Sequence, residues 1–374
     1  MIFLKIRCEK KDLLTAVSNV SRAAPAKSPI PALEGILFEA ADNHLKLTAY
    51  DTRIGIYTSM ESDILDEGSI VIPARFLSDL VRRLPDGMVT IESDAGFSTT
   101  IRCGKSEFHV MGLDPESFPE LNVVDAFQTF SIPEPVLKSM ISQTIFSVST
   151  SETRPLYMGV LFEISENELT MVAVDGYRLA KRSESFNSSG IQPCSFIIPG
   201  TSLSEVERLC DSGSEGTVQI ALGEKHASFA IGSNVLITRR LEGEFMNYRK
   251  SIPSSFRYEV VVEREELIRV IDRVALVIKD KQVSPIKMIA DDGNLEFFCT
   301  TSFGHAEDSI VCEGTGEGMK IGFNDRYFMD ALKAADEDKI RISMNTPSAP
   351  IVIEAAEGGK YLYMVLPVRL RDSD

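Results

Sequence analysis

The feature that most constrains this sequence is a stretch that the chain contains more than once. Residues 36–51, ILFEAADNHLKLTAYD, and residues 160–175, VLFEISENELTMVAVD, each predict a strand, a turn and a second strand. At one constant spacing, identical residues recur in and just before the two segments, among them Gly35 with Gly159, Glu39 with Glu163, Asn43 with Asn167, Leu45 with Leu169 and Asp51 with Asp175. So many identities at one spacing indicate an internal repeat of about a third of the chain.

The rest of the 374-residue chain follows the same period. A β-rich segment that runs into an amphipathic helix occurs three times, at 3–24, 129–149 and 258–278. A second helix is predicted at 72–84, 198–210 and 322–335. The third copy of the opening motif, at 285–301, has diverged and keeps chiefly Leu295. The predicted fold class is therefore α+β, with three repeated domains of two helices plus antiparallel sheets, at 1–127, 128–253 and 254–374.

Repetition also predicts how the sheets are arranged. Unpaired strand edges invite association, so three similar domains in a row favour sheets that continue across the domain junctions. The ends left open would close with a second chain, and a symmetric homodimer is the simplest closed assembly.

Composition limits the function classes. The start, MIFLKIRCEKKDLL, has too short an apolar run for a signal peptide, and no stretch approaches the ~18 apolar residues of a membrane span, so we expect a cytoplasmic protein. The six cysteines form no C-x-x-C pair and the four histidines lie far apart, so neither a metal nor another cofactor is predicted.

The net charge of −16 would argue against nucleic acid only if it were evenly spread. Two predicted helices carry basic faces instead. In 263–278, an apolar stripe (Leu267, Ile271, Val274, Ile278) leaves Arg269 and Arg273 on another face. In the helix from residue 73, Phe76, Leu77, Leu80 and Leu84 are predicted to face inward, with Arg75, Arg82 and Arg83 outward. Ordinary solvated helix faces are the alternative interpretation, which recurrence of the bias weakens.

Three features together make the whole chain resemble the bacterial DNA polymerase III β subunit, the sliding clamp. They are the triplicated α+β domain, the VDGYRLA segment at 174–180, and YMVLPVRL at 363–370, which is similar to the family's closing Met-Pro-x-Arg-Leu. The resemblance implies a head-to-tail dimer whose six domains form a ring, with helices inside, sheets outside and duplex DNA threaded through. Such a ring is a non-catalytic processivity factor that holds DNA topologically and touches phosphates rather than bases.

The resemblance also implies two sets of contact residues. The DNA-binding residues would be Lys27, Arg75, Arg82, Arg83, Arg154, Arg269 and Arg273, whereas PGTSLSE replaces a basic loop of the family's middle domain. The dimer interface would pack Phe108 and Val110 against Leu276 and Val277, with Lys105 near Glu307 and Asp308. Glu107 stands where the family can carry a basic residue, which leaves the apolar pairs as the main contribution.

The third implied site is a groove for short peptides at the junction of domains two and three. Its residues would be Tyr157, Val174, Gly176, Tyr177, Arg178, Leu179, Met246, Asn324, Tyr327, Ser348, Pro350, Met364, Leu366, Pro367, Val368, Arg369 and Leu370. Tyr157, Val174 and Pro350 replace a familiar Leu, Thr and Ser. The implied partners are double-stranded DNA, the replicative polymerase α subunit, the clamp loader δ subunit, other polymerases and repair proteins.

Two other function classes stay open on the residues alone. One is a cytosolic enzyme with a cleft between domains, and the other is a scaffold that binds only proteins. Asp51 and Asp175 occupy equivalent positions of different domains, so we expect them to set turns rather than to act as a carboxylate pair. EGTGEG at 313–318 lacks a phosphate-loop spacing and predicts a flexible loop, and no Gly-x-Ser-x-Gly elbow occurs.

Overall fold

The structure is a computed structural model that describes residues 2–165, 167–185, 190–278 and 284–370. The first third of the chain contains, in order, β1 (Ile2–Glu9), α1 (Lys10–Val20), β2 (Gly35–Ala41), β3 (His44–Tyr50), β4 (Ile54–Glu61), β5 (Asp63–Asp66), β6 (Gly68–Pro73), α2 (Ala74–Arg83), β7 (Met88–Asp94), β8 (Ser98–Cys103) and β9 (Ser106–Met111).

The second third follows the same order, without a counterpart of β5 among its described residues. Its elements are β10 (Ala126–Pro133), α3 (Glu134–Ile145), β11 (Gly159–Ile164), β12 (Glu168–Val174), β13 (Arg178–Ser185), β14 (Cys194–Pro199), α4 (Gly200–Leu209), β15 (Thr217–Gly223), β16 (His226–Ile231) and β17 (Asn234–Arg239).

The last third follows with β18 (Tyr258–Glu263), α5 (Arg264–Ala275), β19 (Ile286–Asp291), β20 (Asn294–Thr300), β21 (His305–Val311), β22 (Glu313–Thr315), β23 (Met319–Phe323), α6 (Asp325–Ala334), β24 (Lys339–Met344), β25 (Ile351–Ala355) and β26 (Tyr361–Val365). The repeated α+β class is thus confirmed; the exact domain boundaries stay a prediction.

The chain folds into two compact units. The first unit comprises residues 1–138 and 204–240. It holds a five-stranded sheet of order β5-β1-β7-β8-β9 and an eight-stranded sheet of order β10-β15-β16-β17-β4-β3-β2-β6. Within the larger sheet, β17 from the second third pairs antiparallel with β4 from the first, from Asn234 opposite Thr58 to Thr238 opposite Ile54.

The second unit comprises residues 139–203 and 241–374. Its sheets have the orders β14-β11-β12-β13-β26-β25-β24-β18-β22 and β21-β20-β19-β23. Here β13 from the second third pairs antiparallel with β26 from the last. The prediction that sheets continue across the domain junctions is confirmed in both units.

Three sheet ends are partly covered by isolated bridges, whereas the end strands β5, β9, β10, β21 and β22 carry none among the described residues. Isolated bridges from Leu113, Leu241 and Val368 lie on β6, β14 and β23 respectively. In the part of the chain that the structure describes, no such bridge lies on β9 or β21. These strands each leave one edge available for pairing with another strand.

The repeated motif with which the sequence analysis began forms equivalent hairpins with the same turn. The Asp51 carboxylate accepts hydrogen bonds from the backbone N–H groups of Arg53 (2.8 Å) and Ile54 (2.7 Å). The Asp175 carboxylate accepts them from Tyr177 (2.8 Å) and Arg178 (3.0 Å). The prediction that these two aspartates set turns is confirmed.

Two details of the predicted helices were wrong. Phe76 of α2 is 37% exposed, because the buried face passes instead through Ala74, Leu77, Leu80 and Val81. α5 ends at Ala275, so Ile278 lies beyond the helix and is only partly buried, while Val270 completes the buried face. In both cases the apolar residue lies at the margin of a stripe that tertiary contacts define.

The Gly-rich segment at 313–318 is likewise not simply a loop. Residues Glu313–Thr315 form β22, which pairs with β18. A Cβ atom at Gly316 would lie 2.2 Å from the Ala290 carbonyl oxygen, so the backbone packs too closely there for any side chain. Glycine permits this close approach, which the sequence pattern alone did not show.

Candidate functional site

A row of apolar side chains crosses four neighbouring strands of the second unit. In the register of the sheet, Val174 lies opposite Leu179, Leu179 opposite Met364, and Met364 opposite Val352. Cross-strand partners point to the same face of a sheet, so the four side chains form a continuous strip. They are 3%, 1%, 6% and 0% exposed, respectively, and belong to one apolar cluster. We call this strip the groove floor.

Partly buried apolar side chains pack against the groove floor and form its rim. Prominent among them are Leu156, Tyr157, Phe245, Met246 and Leu362. The Tyr157 and Phe245 rings lie 5.9 Å apart, and the Tyr157 hydroxyl donates to the Met246 Sδ at 3.5 Å. Sequence reasoning missed Phe245 and Leu362. For Leu362 a signal existed, because it lies two residues before Met364 on one strand and therefore shares its face.

Arg178 fixes the polar end of the groove. Its Nε donates to the Asp175 Oδ2 at 2.9 Å and its Nη1 to the Asp330 Oδ2 at 2.5 Å. The same guanidinium lies 4.6 Å from the Tyr327 ring centroid, and that ring stacks with Tyr177 at 6.1 Å. Burial, together with the nearby Asp175, raises the Tyr327 pKa. Tyr177 is 62% exposed and presents an aromatic face to solvent.

The C-terminal segment after β26 runs beside this polar end. The Leu366 N–H donates to the Tyr177 carbonyl, and the Val368 N–H donates to the Gly322 carbonyl, each at 2.8 Å. Gly322 precedes α6, whose N-terminus is capped by the Asn324 side chain accepting from the Tyr327 N–H at 3.1 Å. The structure therefore brings the VDGYRLA turn, the start of α6 and the chain's closing segment together.

The remaining predicted groove residues lie around these elements. Gly176 has a φ of +98°, and a Cβ there would lie 3.1 Å from an Arg154 guanidinium nitrogen. Arg154, which was predicted to bind DNA, also lies 5.6 Å from the Tyr157 ring centroid. Ser348 is exposed and Pro350 partly buried in the connection from β24 to β25. Pro367 and Leu370 are partly buried, and Arg369 is exposed.

Four of the predicted DNA-binding residues lie in the first unit, and all four are exposed: Lys27, Arg75, Arg82 and Arg83. The described residues provide no ion-pair partner for any of them. Two other lysines of the first unit do have partners. Lys10 pairs with Asp86 at 3.2 Å, and Lys138 donates to the Cys210 carbonyl at 2.7 Å. The exposed face of α2 therefore keeps its positive charge.

The two predicted DNA-binding residues of α5 differ in whether they form an ion pair within the chain. Arg269 is exposed and has no ion-pair partner in the described part of the second unit. Arg273 instead donates from Nε to the Asp308 Oδ2 at 2.6 Å. This hydrogen bond holds the Asp308 pKa below its usual value. One residue assigned to DNA and one assigned to the dimer interface thus pair within the same chain.

The residues predicted for the dimer interface lie on or beside β9 and β21, which are two of the sheet ends without a covering bridge. On β9, Phe108 is 37% exposed, Val110 is partly buried, and Lys105 just before the strand is exposed. Glu107 forms ion pairs with Arg102 at 2.6 Å and with His109 at 3.0 Å. Glu107, which stands where the family can carry a basic residue, is therefore already paired within its own sheet.

The second edge is formed by β21 and the end of α5. Leu276 is 78% exposed, whereas Val277 is partly buried. Glu307 lies 3.7 Å from His305 on the same strand. Phe303, which sequence reasoning missed, is 62% exposed in the connection before β21. Exposed apolar side chains thus lie on or beside both β9 and β21.

Features of an enzyme nucleophile, a metal site and a membrane span were each sought among the described residues. Burial raises the pKa of the Cys8 and Cys210 thiols to about 12, which keeps them protonated and poorly nucleophilic at neutral pH. Within the described residues, no three His, Cys, Asp or Glu side chains are grouped so as to hold a metal ion. No described helix is long and apolar enough to cross a membrane.

Comparisons with known proteins agree with this geometry. The DNA polymerase III beta subunit N-terminal, central and C-terminal domains match residues 4–122, 131–247 and 249–369. The beta sliding clamp of Synechocystis is 33% identical, and the match covers 98% of this chain and 100% of that protein.

Solved structures show the same similarity. The DNA polymerase III beta subunit of Eubacterium rectale is 33% identical with a TM-score of 0.92, over 98% of this chain and 100% of that one. The sliding clamp of Bacillus subtilis is 31% identical with a TM-score of 0.94, over 99% and 100%. The chain therefore belongs to the DNA polymerase III beta subunit family, the beta sliding clamps, and is a non-catalytic processivity factor of the replicative DNA polymerase.

Proposed function

We propose that the groove floor and its rim bind short peptide segments of the proteins that the clamp tethers to DNA. The observation that carries this proposal is the continuous apolar strip of Val174, Leu179, Met364 and Val352 beside the ordered polar end at Arg178. Apolar pockets with a few fixed polar groups suit an extended peptide whose side chains act as anchors. The occupants would be segments of the polymerase α subunit, the clamp loader δ subunit, other polymerases and repair proteins.

The test is peptide binding by variants that change the rim without opening the core. Tyr157→Ala and Met246→Ala should each weaken binding of a Gln-x-x-Leu-Phe peptide by about tenfold or more, because both side chains are partly buried contacts. Tyr57→Ala in the first unit is the matched control and should bind the peptide like the parent. Unchanged binding by both rim variants would show that the peptide site lies elsewhere.

The proposal for DNA is that exposed cations touch phosphates as the duplex passes through the ring. Support comes from α2, where Arg75, Arg82 and Arg83 are exposed and unpaired among the described residues. Lys27, Arg154, Arg269 and Arg273 would add to this set, with Arg273 contributing least because Asp308 already binds it. Contacts to phosphates carry no sequence information, so the ring can slide.

The proposal for assembly is a head-to-tail homodimer in which β9 of one chain meets β21 of the other. Both strands have an edge that no described strand covers, and exposed Phe108 and Leu276 lie at these edges. Two such contacts per dimer would close the ring of six domains, which would act on DNA in the cytoplasm. Lys105, Val110, Val277, Glu307 and Asp308 would complete the contact.

A further inference from the structure

A second row of side chains lies next to the groove floor, two residues further along each strand. In the sheet register Lys181 lies opposite Leu362, Leu362 opposite Glu354, and Glu354 opposite Arg341. Because side chains alternate between faces, this row shares the face of the groove floor and lies about 6.6 Å from it. None of these four residues was singled out from the sequence.

The row extends the apolar surface at Leu362 and places one charged side chain on each side of it. Leu362 is partly buried and packs against the same cluster as the groove floor. Lys181 lies on one side of it, on β13, and Glu354 lies on the other side, on β25; both are partly buried. A peptide on the floor that places an apolar anchor over Leu362 therefore has a cation to one side and an anion to the other.

Neither charge is held in an ion pair or a hydrogen bond by the described residues. Lys181 forms no ion pair there, and the Glu354 carboxylate accepts no hydrogen bond. Arg341, the cross-strand neighbour of Glu354, donates its Nη2 to the Ala356 carbonyl at 2.5 Å instead. Burial raises the Glu354 pKa, whereas the positive charges of Arg341 and Lys181 act on it from a distance and oppose this effect. A partly buried carboxylate that accepts no hydrogen bond gains when a ligand supplies a donor.

We propose that Lys181 and Glu354 form a charge-reading subsite, which selects peptides that carry an acidic and a basic side chain four positions apart, one on each side of an apolar anchor. The spacing follows from geometry. An extended peptide turns every second side chain towards the sheet, so an anchor over Leu362 has its same-face neighbours two positions before and two positions after it, about 13 Å apart. Lys181 and Glu354 are separated by two strand spacings, about 9.6 Å, and the flexible side chains on both sides span the difference. This inference rests on the proposed peptide groove and adds the chemistry that distinguishes one partner segment from another.

The experiment compares three peptides with identical apolar anchors. The first has Asp two positions before and Lys two positions after the central anchor, the second has them exchanged, and the third has Asn and Gln in their place. One of the two charged orders should bind about tenfold more tightly than the other, since attraction at both ends becomes repulsion when the order is exchanged. The difference should shrink at high salt.

A charge-swapped protein identifies the residues responsible. Lys181→Glu combined with Glu354→Lys should invert the preference between the two charged peptides and leave the neutral peptide unaffected, which also reports that the variant is folded. The matched control exchanges Arg257 and Glu317, two exposed side chains of the second unit that pair at 3.1 Å outside this row, as Arg257→Glu with Glu317→Arg. That control should keep the parent's preference.

The outcomes separate the two proposals. Equal affinity of the parent for both charged orders, or a preference that the Lys181 and Glu354 swap leaves in place, overturns the charge-reading subsite while the groove stands. Failure of all three peptides to bind the parent overturns both.

Discussion

Two apolar surfaces of this protein differ in what they do for the fold. Leu179 in the groove floor is 1% exposed and belongs to a packed cluster, whereas Leu276 beside β21 is 78% exposed. Both are leucines that family resemblance assigns to contacts with other chains. The proposed groove would therefore be an opening in a core that folding has already built, whereas the proposed edge surface would become buried only when a partner binds.

The difference has an energetic consequence. A residue of the groove floor contributes to the stability of the single chain, so its replacement affects folding and binding together. An edge residue contributes little to the single chain, so its replacement isolates association. The predictions that follow use this contrast, beginning with the largest expected effect.

Replacing Leu179 by Ala should lower the free energy of unfolding by about 2 to 5 kcal/mol, because it leaves a cavity in a close-packed cluster. Leu276→Ala, the matched replacement at the edge, should change it by less than about 0.5 kcal/mol. Urea denaturation of both variants, followed by circular dichroism at a protein concentration low enough for the chains to be monomeric, measures the difference. Equal losses of unfolding free energy in the two variants would contradict the proposed difference between the two surfaces.

Leu276→Lys should convert the dimer into a folded monomer. The lysine would have to be desolvated in the contact between β9 and β21 without an assured partner. Sedimentation equilibrium gives the mass, and an unfolding curve like the parent's shows that the monomer is intact. Leu65→Lys is the control, since Leu65 is 51% exposed on β5, at the other end of the sheet from β9. A variant that keeps the dimer mass at micromolar concentration would refute this placement.

Arg82→Glu with Arg83→Glu should weaken retention on circular DNA and flatten its dependence on salt. Each phosphate contact contributes about 0.9 to the slope of log K against log salt concentration. Arg273→Glu should have a smaller effect, because its guanidinium is already bound to Asp308 at 2.6 Å. Retention measured across a salt series distinguishes the two. Similar slopes for the parent and the α2 variant would remove Arg82 and Arg83 from the DNA surface.

The smallest effect concerns Asp308 at the β21 edge. The Arg273 hydrogen bond lowers the Asp308 pKa, so this pair stabilises the folded chain above the carboxylate's unfolded pKa and loses its contribution as the pH falls through the folded pKa. Arg273→Ala should return the Asp308 pKa towards its usual value. Carboxylate NMR titration of the Leu276→Lys monomer, with and without Arg273→Ala, measures the shift, and an unchanged pKa would contradict the pairing.

Local sequence patterns were sufficient to predict much of the fold. The repeated hairpin, the recurring helices and the turn-forming Asp51 and Asp175 depend on residues near one another in the sequence, so alternation, helical spacing and turn chemistry were sufficient. The same kind of reasoning failed for Phe76, which lies at the margin of the apolar stripe of α2. Which side of such a margin becomes buried depends on what packs against the helix.

The candidate sites show the same division. The resemblance of the C-terminal segment and of VDGYRLA to the sliding-clamp family pointed to the groove. No local pattern showed that Leu179 lies opposite Met364, or that Leu362 lies between Lys181 and Glu354. Nor did the spacing of charges along the chain reveal that Arg273 binds Asp308.

What the sequence determined by itself was the repeat, the order of elements within it and the presence of a basic helix surface. Only the tertiary structure decided which charges remain available and which apolar residues form one strip. The physical reason is that local conformation follows from neighbouring residues, whereas cross-strand register and ion pairing join residues far apart in the chain. Those long-range contacts are fixed by the packing of the whole unit.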